Sequence, residues 1–182
     1  MKDFNLIYKN YNLKRIYLKK LSIKHLNDIH DYSINQDFFT FFEMDANIKK
    51  SQTKKYIRAK IKDVEKKRSL WWSIELKSNR KVIGTICAHN INFSRKSCEL
   101  GYGINPKYWG RRYFIEALKG ILRVINTKER FIRCQAITSK NNFSSIYGLI
   151  KCGFKREGVL KKFYRDKKKL KNFDAIILAK II

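Results

Sequence analysis

The sequence predicts an α+β fold: a central mixed, mostly antiparallel sheet flanked by helices. Three observations lead there. Segments 70–77, 82–91 and 98–105 are rich in strand-forming residues and lie close together between short polar turns, the pattern of an antiparallel meander. Elsewhere apolar residues recur at helical spacing, as in Ile115, Leu118, Ile121, Leu122 and Ile125. Strand-like and helix-like segments also interleave along the chain. No internal repeat, Gly/Ser linker or composition break divides the 182 residues, so one domain over 1–182 is expected. That length is enough for a real hydrophobic core.

From the N-terminus, "LKRIYLKKL" (13–21) alternates imperfectly and reads as a first strand. Ser22 then makes an N-cap for a helix with Ile23, Leu26, Ile29 and Tyr32 on one face. "DFFTFFEMD" (37–45) is a dense aromatic patch assigned to a loop. Ser51 is expected to open a second helix, with Tyr56, Ile57, Ile61 and Val64 inward and lysines outward. The meander follows: "LWWSIELK", a turn at 78–81, "VIGTICAHNI" and "CELGYGIN". "NPKYWGRRYFIEALKG" (105–120) begins like the end of a strand and finishes like a helix, expected over 111–126. "RFIRCQAIT" (130–138) reads as another strand, and "NNFSSIYGLIKCGF" (141–154) as a short helix closed by Gly153. Two last strands, near 155–164 and 172–181, flank the basic turn "RDKKKLKN", read as a solvated hairpin loop.

Composition excludes several classes of protein. The 44% hydrophobic and 14% aromatic content argues against disorder, despite 31% charged residues. No apolar run approaches the roughly 20 residues that span a bilayer, so no membrane partner is expected. "MKDFNLIYKNYNLKR" has neither a continuous apolar stretch nor a small-residue cleavage site, the marks of a signal peptide. Cys87, Cys98, Cys134 and Cys152 sit among apolar neighbours with no CxxC pair. They read as buried free thiols of a reducing compartment, and the expected location is cytoplasmic. His25, His30 and His89 have no partners at ligand spacing, and no metal is expected.

The net charge of +27 has two readings. One is an anionic partner such as RNA or a ribosome. The other is a lineage-wide lysine bias, and it carries more weight. The 30 lysines come with 24 isoleucines and 14 asparagines against seven alanines, the skew of A/T-rich codons.

The 105–120 junction carries the chemistry. A helix N-terminus presents unpaired N–H groups and about half a positive charge, a seat for phosphate. Gly110 lets the backbone approach, and Arg111 and Arg112 add charge-assisted contacts.

From about residue 13 to 181 the chain resembles the GNAT superfamily of N-acetyltransferases, in its RimJ/RimL-like branch of protein N-terminal acetyltransferases. The resemblance rests on "KVIGTI" (81–86), "CELGYGINPKYWGRRYFIEALKGIL" (98–122) and "NNFSSIYGLIKCGFKREGVLKKFYRD" (141–166), in the right order and spacing. It implies acetyl-CoA as cosubstrate. Its pyrophosphate would be cradled by Trp109, Gly110, Arg111, Arg112, Tyr113 and Phe114. Its pantetheine arm would pair with main chain near Tyr102, Gly103 and Ile104, and Asn142 and Ser145 would contact CoA. The family loop usually reads like WGKGYA, so Arg112 and Phe114 stand where a glycine and a small residue are expected. A side chain held in a glycine-only conformation at 112 costs about 1–3 kcal/mol. An arginine beside a diphosphate returns a charged hydrogen bond of about 1.5–3 kcal/mol.

Glu99 is the candidate general base, because an amine must be neutral to attack a thioester and relatives of this branch carry a glutamate here. Many relatives protonate the leaving thiolate with a tyrosine, at the position that is Leu149 here. Ser145 is the nearest substitute, with Tyr147 as the alternative. Phe38, Phe39, Phe41 and Phe42 either line an acceptor pocket or join the core, and one of Trp71 and Trp72 must pack inside. The resemblance implies transfer of acetyl to an amine, first a protein N-terminus, ribosomal proteins especially. An amino sugar or aminoglycoside acceptor is the second reading. A degenerate, non-catalytic domain binding RNA or protein is the third.

Overall fold

The computed structural model describes residues 7–46, 48–129, 131–166 and 171–182. Its centre is the meander that the sequence predicts: β3 (Leu70–Leu76), β4 (Val82–Asn92) and β5 (Ser97–Ile104) pair antiparallel in chain order. Before it, β1 (Tyr11–Asn12) and β2 (Ile16–Lys20) make a short hairpin, and β2 pairs with β3. After it, β6 (Arg133–Ser139) runs parallel to β5. β8 (Lys171–Ile181) then pairs antiparallel with both β6 and the edge strand β7 (Lys155–Asp166). The order across the sheet is β1-β2-β3-β4-β5-β6-β8-β7. The parallel β5–β6 pair requires a crossover, which α3 (Tyr113–Glu129) supplies.

Two apolar layers cover the sheet. Leu70, Trp72, Ile74 and Leu76 of β3 point into the larger core, where Leu118, Ile121 and Ile125 of α3 and Ile146 and Leu149 of α4 (Phe143–Lys151) meet them. Trp71, one residue out of phase, packs against the smaller cluster with α1 (Leu26–Ser33) and α2 (Lys50–Glu65), which supply Ile29, Tyr32 and Ile57. Trp72 is therefore the core tryptophan, and its indole N–H donates to the Lys9 carbonyl at 2.8 Å.

Several expected boundaries move for local reasons. The strand expected over 13–21 is β2 and begins only at Ile16, because residues 13–15 form the turn of a hairpin with the unexpected β1. Ser22 does cap a helix, but its first turn, Ile23–His25, is 3₁₀. The aromatic patch, expected as a loop, opens with a 3₁₀ turn at Gln36–Phe39 whose cap is the Asn35 side chain. Helix α2 starts at Lys50, with Lys49 as N-cap and its N–H held by Gln52 Oε1 at 2.9 Å, so Ser51 lies inside the first turn. Helix α3 starts at Tyr113, because Arg112 takes a left-handed φ of +62°. Gly153 closes α4 with a φ of +88°. Residues 167–170 of the basic turn lie outside the described residues.

The feature that positions the site is a break in pairing. β5 and β6 pair only at Ser97↔Arg133, Cys98↔Cys134 and Glu99↔Gln135. Beyond Glu99, β5 stays with β4 and β6 stays with β8. The two parallel strands diverge, and a wedge opens in the sheet.

Candidate active site

The loop above the wedge is built to present its backbone. Asn105 caps the turn at Pro106–Tyr108 by accepting from the Lys107 N–H at 3.0 Å. The Trp109 indole N–H then donates to the Ile104 carbonyl at 2.7 Å, tying the loop back onto the end of β5. Gly110 (φ +74°) and Arg112 (φ +62°) both sit in the left-handed region. Among the described residues, no acceptor faces the backbone N–H groups from Gly110 through Ile115. Free donors at the start of a 17-residue helix make an anion seat. Arg112 occupies the glycine-like conformation that its position demands, at about 1–3 kcal/mol of strain.

A cleft of about 350 Å³ runs from this loop into the wedge, lined by Tyr102, Gly103 and Ile104 on one side and Asn142 and Ser145 on the other. Trp109, Gly110, Arg112, Tyr113 and Phe114 also line it, whereas Arg111 does not. The Arg111 guanidinium lies 5.6 Å from the Tyr108 ring centre. Phe114 is absorbed by two neighbours. Its ring centre lies 4.0 Å from that of Tyr102 with the planes tilted by 33°, and a Cβ at Gly148 would come within 2.5 Å of it. Gly148 thus supplies the room that a small residue at 114 would otherwise have left. The Tyr102 hydroxyl sits 2.7 Å from the buried Ser145 Oγ. Burial pushes the Tyr102 phenol up, partly offset by that hydrogen bond, so the phenol stays protonated at neutral pH. Asn142 accepts from the Ser145 N–H at 3.1 Å and caps α4. Leu149 is fully buried and brings no proton to the wedge, while the alternative Tyr147 lines the cleft and is half exposed.

A second cavity, of about 460 Å³, lies on the α1–α2 face. Phe38, Phe42, Tyr56 and Trp71 form its aromatic walls, with Lys60 and His89 at the edges. Its floor is β5 at Gly101 and Gly103. A Cβ at Gly103 would come within 2.6 Å of Phe38, and one at Gly101 within 2.9 Å of Cys87 Sγ. Phe38, Phe42, Tyr102 and Gly103 line both cavities, so the two adjoin across β5. Phe41 belongs to the cleft alone, and Phe39 is buried.

Glu99 lies two and four residues from those glycines, hence on the same face of β5. It does not line the cavity directly. It stands opposite His89 in the β4–β5 register, with His89 Nε2 3.7 Å from Oε1. The Gln135 amide donates to Oε2 at 3.3 Å. His89 and Asn90 line the cavity and separate Glu99 from it. The other two histidines have structural roles: His25 Nδ1 lies 2.7 Å from Ser73 Oγ, and His30 Nδ1 lies 2.9 Å from Thr53 Oγ1.

A family model described as an acetyltransferase (GNAT) domain matches residues 15–155. The chain belongs to the GNAT acetyltransferase family. YoaA of Bacillus subtilis (strain 168), an uncharacterized N-acetyltransferase, is 29% identical over 99 residues, 54% of this chain and 56% of that protein. The chain thus spans about half the length of the curated relatives it matches. Solved structures give the fold over nearly the whole chain. RimL, a ribosomal L7/L12 α-N-protein acetyltransferase in complex with coenzyme A, superposes with a TM-score of 0.87 at 15% identity, covering 95% of this chain and 98% of that one. The microcin C7 self-immunity acetyltransferase MccE, in complex with acetyl-CoA and AMP, gives 0.83 at 21% identity, covering 93% of each chain.

Within this GNAT fold, sequence reasoning missed His89 and Gln135 as neighbours of Glu99. The His89 contact was hidden because Asn90, at a φ of +48°, makes a bulge that sets the β4–β5 register. The Gln135 contact crosses the one parallel pairing found among the described residues, which no local pattern announces. Among the described residues, no helix is long and apolar enough to cross a membrane, and no group of His, Cys, Asp or Glu could hold a metal ion.

Proposed function

We propose that this protein is an acetyl-CoA-dependent N-acetyltransferase acting on the N-terminal amine of a protein. The observation that carries it is the wedge: a cleft leading from a loop of free N–H groups to a second cavity across β5, with Glu99 beside that cavity. Acetyl-CoA would supply an acyl group on a good leaving thiolate. The Gly110–Ile115 donors and Arg112 would hold its diphosphate, and the unpaired edge of β5 at Tyr102–Ile104 would receive its pantetheine arm.

The chain's own residues would then manage two protons. Glu99 takes one from the attacking amine, through His89 or a water between it and the cavity, so that the amine attacks neutral. Ser145, hydrogen-bonded to the protonated Tyr102 phenol, would donate to the departing sulfur, and the proton that the nitrogen sheds as the amide forms would make good that loss. The likeness to RimL supports a protein N-terminus as acceptor, and the +27 charge suits work near ribosomal RNA while disfavouring polyamines. A small amine such as an amino sugar is the second reading, favoured by an aromatic-walled cavity of small-ligand size.

The test has two stages. Acetyl-CoA at 100 times its Kd should stabilise the chain by about 2.7 kcal/mol, visible as a higher Tm. Mass spectrometry should then detect acetyl transfer to ribosomal-protein N-terminal peptides but not to amino sugars. The reverse preference would select the small-molecule reading. No thermal shift at millimolar acetyl-CoA would leave a non-catalytic binding domain as the better account.

A further inference from the structure

We infer that Arg15 is a positioning residue for the diphosphate loop, fixing the Arg111–Arg112 peptide so that the Arg112 N–H faces the cleft. The inference rests on the acetyl-CoA reading above. Arg15 lies in the turn of the β1–β2 hairpin, closed by a Leu13 N–H to Ile16 carbonyl bond of 3.0 Å. This turn docks on the first half of α3. Leu13 lies where a Cβ at Gly120 would come within 2.6 Å of its methyl, and one helical turn earlier Glu116 meets Arg15. The Arg15 backbone N–H donates to Glu116 Oε1 at 2.7 Å, and its Nε donates to Oε2 at 2.8 Å. Its Nη1 then reaches the Arg111 carbonyl at 3.0 Å, with the guanidinium carbon 4.4 Å from the Tyr113 ring centre.

The geometry of the peptide bond gives that last contact its meaning. In a trans peptide the C=O and the following N–H point in opposite directions. Holding the Arg111 carbonyl on the Arg15 side therefore turns the Arg112 N–H the other way, towards the cleft that Arg112 lines. The same bond opposes the motion that would relieve Arg112. A flip of the 111–112 peptide would take φ at 112 away from +62° and carry the N–H away from the diphosphate. Arg15 is what lets a residue other than glycine serve at 112. Glu116 holds the guanidinium in place, and neither residue stood out in the sequence because the two are 101 positions apart.

The test is calorimetry with acetyl-CoA and with S-acetylpantetheine, which has the same acetyl arm and no diphosphate. Arg15→Ala should weaken acetyl-CoA about tenfold and S-acetylpantetheine less than about twofold, because only the first ligand uses the loop. Arg15→Lys keeps the charge but replaces two bonding nitrogens with one, and should recover only part of the loss. Within the Arg112→Gly background, Arg15→Ala should cost less than about twofold in acetyl-CoA affinity, since glycine holds φ +62° without help. Unchanged acetyl-CoA affinity in Arg15→Ala, full recovery with Arg15→Lys, or equal loss for both ligands would each overturn the inference while leaving the cosubstrate reading intact. Failure of the unaltered chain to bind acetyl-CoA would overturn both.

Discussion

The two cavities that meet across β5 are made of different materials. The cleft under the Gly110–Ile115 loop is made largely of backbone: free N–H groups, a strand edge released from its ladder, and a helix start. The cavity under α1 and α2 is made of side chains: Phe38 from a 3₁₀ turn, Phe42 from the loop after it, Tyr56 and Lys60 from α2, Trp71 from β3 and His89 from β4. A backbone site tolerates changes of side chain. Arg112 keeps the left-handed φ that a glycine would take, and Phe114 finds its room at Gly148. A side-chain site has no such reserve, because each wall is one particular ring. Cosubstrate binding should therefore withstand substitutions that the acceptor cavity would not.

The largest effect expected is at Glu99, beside the cavity proposed for the acceptor. Glu99→Gln should lower kcat about 10²–10⁴-fold with acetyl-CoA affinity nearly unchanged, the split of a lost general base. Full activity in that variant would remove Glu99 from the chemistry. Among the residues that line the cleft, reversal of charge should do the most harm. Arg112→Glu keeps the left-handed strain and sets a carboxylate beside the diphosphate, a like-charge contact of several kcal/mol, so acetyl-CoA should bind at least about 100-fold more weakly. Retained affinity would mean that the diphosphate sits elsewhere.

Phe114→Ala should separate stability from binding. The half-buried ring fills space between Tyr102 and Gly148, and its loss should cost about 2–3 kcal/mol by denaturant unfolding. Acetyl-CoA affinity should stay within about tenfold, because the loop donors are backbone. A much larger loss of affinity would show that the ring shapes the loop itself. The smallest effect concerns the acceptor floor. Cys87 lines that cavity, and burial pushes its thiol up to about 12, so the reactive thiolate is scarce below that pH. Alkylation of the native chain at pH 8 should be slow at Cys87 and rise with pH towards about 12. Rapid labelling at pH 8 would mean that water reaches the floor more freely than its burial allows.

The different materials also explain what could be read from the residues. Backbone sites are written locally. Asn105, Pro106, Gly110 and the apolar spacing of 115–125 announce a strand, a tight loop and a helix start in one short segment, and Gly153 announces the end of a helix in another. It was the family resemblance that implied a shared site for Tyr102, Gly103, Ile104 and the loop, and these residues do line one cleft. The aromatic patch at 37–45 was visible but ambiguous, since a phenylalanine on the core and one on a cavity wall obey the same composition.

Local periodicity, caps and turn residues thus gave most of the elements, their order and the strand–loop–helix junction, because each depends on neighbours within a few residues. Register and long-range docking lay beyond that reach. The bulge at Asn90 sets His89 against Glu99, and the end of β5–β6 pairing at Gln135 opens the wedge. Gly103 makes room for Phe38, and Arg15 crosses 101 positions to hold the Arg111 carbonyl and Glu116. Side chains alternate faces with a period of two, so a one-residue shift in register reverses which residues meet, and only the assembled sheet determines that shift.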